Sequence, residues 1–434
     1  MTKRALLAVF AAALALRLGL WLRMGAAGPQ AHLRPDSLGY VGLARGLAET
    51  GRFASLGFDE PGIDAARTPG YPLFLALHRP ISDSPRWPAL TQCVLDSGAA
   101  VLLALAAGAL APGSPAWLAG LLYGLDPMTA AHAPLLVTEV PFNWLMILGL
   151  WLLLRKGVSP GPGWGLCLGA AALVRPIAAY LWPVWGFALL PWGRSSKARF
   201  GLGLFLAALI PGLWCARNLG VYGQASLSTV TGTNLLFYEA AAVRASAEGI
   251  PSSEAVRLFK AELALRYREP PATPFVESSQ RKALAREYLL RHPGAVMRVH
   301  AAAGFKMLFG PGLDLLAEEL FPTEPGVQAQ VELHQVTGQG TRALLQRRPG
   351  LWLALAWTMA LLAACYVLAC RGAWRLLTDP DRSKTAAVLL PAAYLLVLSV
   401  GGWAYYRFRV PLWPFAALLA PLGWGHRTSP SPNP

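Results

Sequence analysis

The chain of 434 residues is 55% hydrophobic and only 14% charged, and its mean hydropathy is +0.42. This balance leaves too few polar side chains to cover a soluble globule of this length, so it excludes an ordinary soluble enzyme and predicts a membrane protein. The formal net charge of +15 would also suit a nucleic-acid-binding protein, and the placement of the basic residues decides between the two classes.

Apolar runs recur along the chain with lengths near the roughly 17–25 residues that a helix needs to cross about 30 Å of hydrocarbon. In chain order they are 5–22, 90–110, 116–132, 140–154, 164–173, 177–192, 200–215, 351–370, 386–400 and 410–422. They predict an all-α fold, a polytopic transmembrane bundle of about ten helices. The first run also has the form of a signal peptide, but the other runs predict the membrane class regardless.

The short loops predict the orientation, because positively charged residues are retained on the cytoplasmic side. With both termini inside, the inside loops hold twelve basic residues and only two acids, Asp379 and Asp381. The basic residues are Lys3, Arg4, Arg155, Lys156, Arg194, Lys197, Arg199, Arg371, Arg375, Arg382, Lys384 and Arg427. Most of the net charge therefore follows from topology, and no nucleic-acid partner is predicted.

Two long polar stretches interrupt the runs, and both fall on the outer side in this topology. They divide the chain into a transmembrane module at 1–216, whose first outer loop is 23–88, an outer domain at 217–350, and C-terminal helices at 351–434. The spacing of apolar residues predicts an interfacial helix at 37–50 and helices at 253–266 and 281–291. The segment 295–309 is apolar but carries basic residues, which predicts an interfacial rather than a spanning helix.

The distribution of charge also separates classes of membrane protein. Transporters tend to show duplicated halves and ionisable residues near the bilayer midplane, whereas the spans here hold mainly Arg17 and Asp96, each near a helix end. Charged residues gather instead at the outer helix ends. This pattern favours a site at the outer lipid–water boundary.

Asp36 is the first candidate for chemistry, because it stands just before the interfacial helix in the outer loop, with Tyr40 four residues later on the same face. A carboxylate there could act as a general base. The same Pro-Asp-Ser sequence also fits a helix N-cap, in which Asp36 accepts a backbone N–H. The two roles do not exclude each other.

Further candidates lie at other outer positions. Arg67 and Tyr71 flank a Pro-Gly turn, and the outer helix ends add Glu139, Arg175, Arg217, Arg407 and Arg409. Each arginine could snorkel to the interface or pair with an acid of an outer loop. Together, with aromatic residues between them, they favour a lipid phosphate, which the planar guanidinium group binds well.

Metal and nucleotide-driven functions have little support. The seven histidines show no HxxxH or HxH spacing and the five cysteines no CxxC spacing, so no metal is predicted and ligand spacing does not support a divalent cation. The phosphate-loop GxxxxGK[ST] pattern is absent from the sequence. No cofactor is predicted with certainty.

The ordered motifs resemble those of a known family, the bacterial GT-C membrane glycosyltransferases, akin to the protein O-mannosyltransferases and the aminoarabinose transferase that modifies lipid A. The motifs are 35–40 (PDSLGY), 67–72 (RTPGYP), Gln92, 138–139 (TE), 173–176 (LVRP), 217–218 (RN) and 406–411 (YRFRVP). Each is short, but their order and spacing extend over most of the chain.

The resemblance implies inverting transfer of a sugar from a polyprenyl-phosphate donor to a glycan, lipid or protein acceptor at the outer face of the cytoplasmic membrane. It implies that Asp36 is the catalytic base and that Tyr40 lies near the carrier phosphate. Many relatives have Asp-Glu where this chain has Asp36 and Ser37, which favours a site with one acid. Two alternatives stay open: a lipid or polysaccharide transporter without chemistry, and a non-enzymatic assembly factor.

Overall fold

The computed structural model describes residues 1–56, 62–191, 196–322 and 340–424. These residues are almost all in helices or in the turns between them, with one two-stranded antiparallel ribbon in the first outer loop, so the predicted all-α fold is confirmed. Arg194 and Arg427, which contributed to the predicted orientation, lie outside the described residues.

Ten α-helices are described before the outer domain. They are α1 (Lys3–Ala26), α2 (Pro35–Thr50), α3 (Gly70–Ala76), α4 (Arg86–Leu110), α5 (Trp117–Gly124), α6 (Pro127–His132), α7 (Glu139–Leu154), α8 (Pro162–Val174), α9 (Leu181–Leu189) and α10 (Lys197–Tyr222). Two 3-10 turns, Pro29–His32 and Pro176–Tyr180, precede α2 and α9. The ribbon pairs β1 (Ala54–Ser55) with β2 (Gly62–Ile63), and Ala54 lies opposite Ile63.

The rest of the described chain is also helical. It contains α11 (Val230–Thr233), a π-helical segment (Asn234–Ala240), α12 (Ala241–Glu248), α13 (Ser252–Arg266), α14 (Pro274–Arg291), α15 (Pro293–Phe309), α16 (Leu313–Leu320), α17 (Gly340–Arg347), α18 (Leu351–Leu377), α19 (Arg382–Ser399), a 3-10 turn (Tyr406–Arg409) and α20 (Trp413–Trp424). The helices predicted at 253–266 and 281–291 are confirmed as α13 and part of α14.

Four helices among the described residues are long and apolar enough to cross a membrane: α1, α4, α10 and α18, with 24, 25, 26 and 27 residues. At 1.5 Å per residue each is about 36–40 Å long, which exceeds the hydrocarbon thickness of about 30 Å. The chain is therefore an integral membrane protein. The helices α7, α8 and α9 are apolar but shorter, and both the count of ten spans and the orientation stay predictions.

The sequence pattern predicts one continuous helix at 116–132. The structure differs there. The apolar run divides into α5 and α6 because Asp126 and Pro127 start a new helix. The Asp126 carboxylate accepts the N–H of Thr129 at 2.8 Å, and Pro127 occupies the first helical position, where its missing N–H costs nothing. Local capping chemistry thus overrides the hydrophobic pattern.

A buried ion pair joins three helices of the bundle. Arg17 of α1 donates from Nε to Asp96 of α4 at 2.7 Å and from Nη1 to the carbonyl of Gly124, at the end of α5, at 2.6 Å. The Tyr123 hydroxyl donates to the other oxygen of Asp96 at 2.5 Å. Removing one partner of such a pair leaves an uncompensated buried charge and costs about 3–5 kcal/mol. The two ionisable residues that the sequence places within the spans are therefore paired with each other inside the bundle.

The stretch 217–350, which the sequence predicts to be an outer domain, is hydrogen-bonded to the predicted first outer loop. Its own core includes Phe259 of α13 and Leu284 of α14, which pack on Leu236 of the π-helical segment. The N–H of Thr229 donates to the carbonyl of Ala65 at 2.9 Å. The domain therefore holds the loop that carries Arg67 in place.

Candidate active site

Asp36 lies in the first turn of α2, but it does not cap the helix. The N-cap residue is Arg34, whose N–H donates to the Ser37 hydroxyl at 2.9 Å, while that hydroxyl donates to the carbonyl of Leu136 at 2.7 Å. The alternative in which Asp36 is the cap is therefore wrong, because Arg34 occupies the N-cap position and its N–H is bound by Ser37. The Asp36 side chain is 57% exposed and points its carboxylate at another partner.

That partner is Arg407, in the 3-10 turn before α20. Its Nη1 donates to Asp36 Oδ2 at 2.9 Å, and its Nε donates to Glu139 Oε1 at 2.6 Å. Arg175 Nη1 lies 3.0 Å from the same Glu139 oxygen. Four predicted residues from four separate segments thus form one row of alternating charge.

This row of four charged side chains is balanced, with two carboxylates and two guanidinium groups. One carboxylate of the row is exposed and the other is buried. Glu139 is fully buried at the start of α7, whereas Asp36 faces solvent. Burial alone would lower the pKa of Arg407, but the charge of Glu139, with smaller effects from Tyr405 and Asp36, raises it well above its usual value. Arg407 is therefore a cation fixed in place by a buried acid.

Tyr40 lies near the exposed carboxylate of Asp36, and Arg67 packs on the Tyr40 ring. The Tyr40 ring packs edge-on against Tyr71 at 5.0 Å between centroids, and Arg67 Cζ lies 5.5 Å from the centroid of the Tyr40 ring. Burial raises the pKa of Tyr40, and the charge of Asp36 raises it further. Tyr40 is therefore a neutral phenol that can donate a hydrogen bond.

Two residues that the sequence did not single out determine where Arg67 lies. Asp64 Oδ1 accepts the N–H groups of Ala66 at 2.6 Å and Arg67 at 2.7 Å, and Oδ2 accepts Arg67 Nη1 at 2.9 Å. On the facing helix, a Cβ at Gly39 would lie 2.1 Å from Arg67 Cζ. The guanidinium group thus reaches the backbone of α2 only because residue 39 is glycine.

The Pro-Gly turn of the first loop rests on the end of α8. A Cβ at Gly70 would lie 2.7 Å from the carbonyl carbon and oxygen of Leu173, so only glycine allows this approach. The structure thereby brings the turn that contains Arg67 and Tyr71 against the segment that presents Arg175. Two motifs that were recognised separately in the sequence form one surface.

Gln92 of α4 anchors the segment that leads to Glu139. Its Nε2 donates to the carbonyls of Ala133 at 3.1 Å and Leu135 at 2.5 Å, and its Oε1 accepts the Tyr71 hydroxyl at 2.8 Å. Gln92 therefore couples the position of α3 to that of α7. It supports the site without facing the exposed carboxylate.

Arg217 lies in a separate cluster near the C-terminal end of α10. Its Nη1 donates to Asn218 at 2.7 Å, and its Cζ lies 4.8 to 5.7 Å from the ring centroids of Phe53, Trp214 and Tyr222. These contacts hold α10 against the first outer loop. The structure does not bring Arg217 into the row of charged side chains around Asp36.

Arg409 is also set apart, although it is only two residues from Arg407. Its side chain is buried, and Nη1 donates to the carbonyls of Leu308 and Gly310 at 2.9 Å each. These carbonyls are at the C-terminal end of α15, where a cation is favourable. Arg409 therefore fastens α15 to the turn that carries Arg407.

No group of three or more His, Cys, Asp or Glu side chains with the geometry to hold a metal ion is found among the described residues. The exposed acid of the site, Asp36, has one arginine as its hydrogen-bonded partner. The polar groups that converge there are a carboxylate, guanidinium groups and a phenol, which suit proton transfer and anion binding.

No protein-family model and no curated protein matches the chain. Among solved structures, the chain is similar to the crystal structure of ArnT from Cupriavidus metallidurans in the apo state, at 13% sequence identity and a TM-score of 0.39. The match covers 96% of this chain and 77% of that chain. Such a distant likeness carries no functional weight, so function is argued from the site.

Proposed function

We propose that this protein is an inverting membrane glycosyltransferase of the GT-C type, with Asp36 as its catalytic base. One observation carries the proposal: an exposed carboxylate is paired at 2.9 Å with Arg407, whose other side is fixed at 2.6 Å by buried Glu139. A base and a fixed cation then stand side by side at the surface. A transfer reaction with a phosphate leaving group needs both.

In the proposed reaction, Asp36 takes the proton of the acceptor hydroxyl or amine as that group attacks the anomeric carbon of the donor sugar. A bond forms between the acceptor atom and the anomeric carbon, and the bond from that carbon to the phosphate oxygen breaks. The electron pair leaves with the polyprenyl phosphate. Because a phosphate leaves readily as an anion, guanidinium groups suffice to stabilise it and no general acid is needed.

The cations around Asp36 have distinct proposed roles. Arg407 and Arg175 share a Glu139 oxygen, so their charges are fixed where the leaving phosphate develops its charge. Arg67, with Tyr40 below it, binds the donor phosphate or orients the acceptor. Glu139 is a positioning residue that acts through the two arginines.

Arg217 and Arg409 receive structural roles in this proposal rather than the phosphate contacts that the sequence suggested. Arg217 holds the end of α10 among aromatic rings, and Arg409 binds the end of α15. Both are positioning residues for the walls of the site. Tyr71 belongs with them, since its hydroxyl is bound to Gln92.

The proposed partners are a polyprenyl-phosphate sugar and a glycan, lipid or protein acceptor, and the proposed location is the cytoplasmic membrane with the site facing outward. A long prenyl chain would lie in the bilayer beside the helices and present its phosphate at the level of the arginines. The predicted position of the site at the lipid–water boundary favours a lipid-linked donor over a soluble nucleotide sugar.

Transfer by the purified protein tests the proposal against the alternatives. The protein in lipid nanodiscs is given a radiolabelled polyprenyl-phosphate sugar and a membrane extract as acceptor source, and the labelled products are separated from the donor. Donor consumption with a labelled product supports the enzyme. Movement of intact donor across vesicle membranes without consumption would identify a transporter, and neither activity would favour an assembly factor.

A further inference from the structure

Helix α15 has one buried face and one open apolar face. Ala295, Ala303 and Met307 are buried, whereas Met297 is 73% exposed and Phe305 is 68% exposed. Phe309, one turn after Phe305, is exposed as well. These exposed residues fall at helical spacing, so they form one stripe along the helix.

The buried face is attached to helices of the membrane bundle rather than to the outer domain alone. The Tyr366 hydroxyl of α18 donates to the carbonyl of Leu308 at 2.7 Å, and Arg409 donates to the same oxygen at 2.9 Å. Tyr366 lies fifteen residues after Leu351, which is about 22 Å along a helix. The C-terminal end of α15 is therefore beside the middle of the longest apolar helix.

The open stripe is next to apolar surface of another bundle helix. Gly304 of α15 lies against Val400, just after the end of α19. Val397 and Leu398 of α19 are exposed, as is Trp403 in the loop that follows. The stripe and this surface form one apolar region at the edge of the bundle.

Basic residues accompany the stripe. Arg298 and Lys306 are exposed on α15, each directly after an exposed apolar residue of the stripe. The preceding helix α14 differs in its exposed face, which includes the charged residues Lys282 and Arg286. Such a face is typical of a solvated helix. An apolar stripe with basic neighbours is typical of a helix in the membrane interface.

We propose that α15 is inserted obliquely into the outer leaflet, with its open stripe against lipid acyl chains. The Phe309 end lies deeper than the Met297 end, because it is the end that binds α18. Arg298 and Lys306 extend toward lipid phosphates, and the long side chain of Lys306 snorkels upward from the deeper position. The outer domain is thereby anchored to the bilayer beside the candidate site.

Cysteine labelling tests the position of the stripe in the full-length protein. Cys215 and Cys370 are changed to serine, and Phe305→Cys or the matched control Arg286→Cys is introduced. Intact cells are treated from outside with a membrane-impermeant maleimide. We expect the cysteine at position 305 to remain unlabelled and the cysteine at position 286 to be fully labelled. Equal labelling at the two positions would overturn the proposal.

Lipid-borne quenchers identify what covers the stripe. A fluorophore on the cysteine at 305, or at 297 after Met297→Cys, is measured in nanodiscs that contain lipids with a quencher on the acyl chain. We expect quenching at both positions, with position 305 sensitive to the deeper quencher. Protection from the maleimide without quenching would mean that protein covers the stripe, which would also overturn the proposal. Ala301→Cys replaces Phe305→Cys if that variant does not accumulate.

Discussion

At the residue scale, the difference in exposure between the two acids of the site separates their roles. Asp36 is more than half exposed and makes one ion pair, so an acceptor can reach it. Glu139 is fully buried and pairs with both Arg407 and Arg175, so it cannot meet a substrate directly. One acid is therefore placed for proton transfer and the other for fixing cations.

Glu139→Gln should lower both transfer activity and stability. The variant leaves two guanidinium groups around a neutral amide, and breaking a buried pair in this way costs about 3–5 kcal/mol. We expect a lower unfolding temperature and a raised KM for the donor. The matched control is Glu49→Gln, whose exposed pairs with Arg45 and Arg79 are worth about 0–1 kcal/mol. Unchanged stability and KM for Glu139→Gln would contradict the positioning role.

Gly39→Ala should displace Arg67 while leaving the fold intact. The new Cβ would lie 2.1 Å from Arg67 Cζ, and the end of a flexible side chain can move away. We therefore expect weaker donor binding with a nearly unchanged unfolding temperature. Gly98→Ala serves as the control, because that helical glycine has open space around its Cβ position. Donor binding equal to that of the control would show that the position of Arg67 is unimportant.

Sequence reasoning identified the charged residues of the site but not the groups that orient them. Asp36, Glu139, Arg175 and Arg407 were recognisable because charges at outer helix ends are costly and need partners. Asp64 and Gly39 escaped notice, since a loop acid and a helical glycine are common. Their importance comes from a tertiary approach between α2 and the 64–67 turn, which no local pattern encodes.

At the element scale, α16 carries an acidic side chain on its buried face. Glu319 is fully buried, and among the described residues neither of its oxygens has a hydrogen-bond partner. Burial raises the pKa of Glu319 well above its usual value. The charge of Arg34 lowers this pKa, and the charge of Glu318 raises it further. The helix is therefore docked with a neutral acid in its interface.

Glu319→Gln should stabilise the protein at neutral pH. A carboxyl group whose pKa is raised in the folded state contributes stability below its usual pKa, and that stability is lost as pH rises toward the folded value. Glutamine does not titrate, so the variant should gain in unfolding temperature relative to wild type from about pH 4.5 upward. Glu318→Gln, which loses an ion pair with Arg34, should show no such gain. A pH-independent difference would contradict a neutral Glu319.

The type of each element was more predictable than its continuity. Helical spacing correctly predicted α13 and the C-terminal part of α14, because amphipathic periodicity extends over several turns in each. The break within 116–132 was missed, since Asp126 and Pro127 read as part of a hydrophobic run. Capping residues act over one turn, so a hydropathy window averages them out.

At the scale of the whole molecule, the predicted orientation places the site and the outer domain on the same side. Asp36 and Arg67 belong to the first outer loop, and the outer domain binds that loop through Thr229 and Ala65. The two stretches that were predicted from charge as separate outer regions are thus in direct contact. This contact requires them to share one side of the membrane.

Labelling from outside tests that orientation. In a background with Cys215→Ser and Cys370→Ser, Arg268→Cys in the outer domain should react with an impermeant maleimide on intact cells. Arg371→Cys, near the C-terminal end of α18, which is predicted to face the cytoplasm, should react only after the cells are opened. Both side chains are exposed, so burial does not explain a difference. The reverse pattern would place the candidate site on the cytoplasmic side.

The most direct test of the whole account is the rate of sugar transfer by Asp36→Asn. The variant keeps the size of the side chain but cannot take the acceptor proton, and loss of a general base costs about 10²–10⁴-fold in rate. Asp83→Asn, an exposed acid of the same loop, is the matched control. We predict that Asp36→Asn is produced at normal abundance and loses transfer while the control retains it. Wild-type transfer by Asp36→Asn would contradict the account.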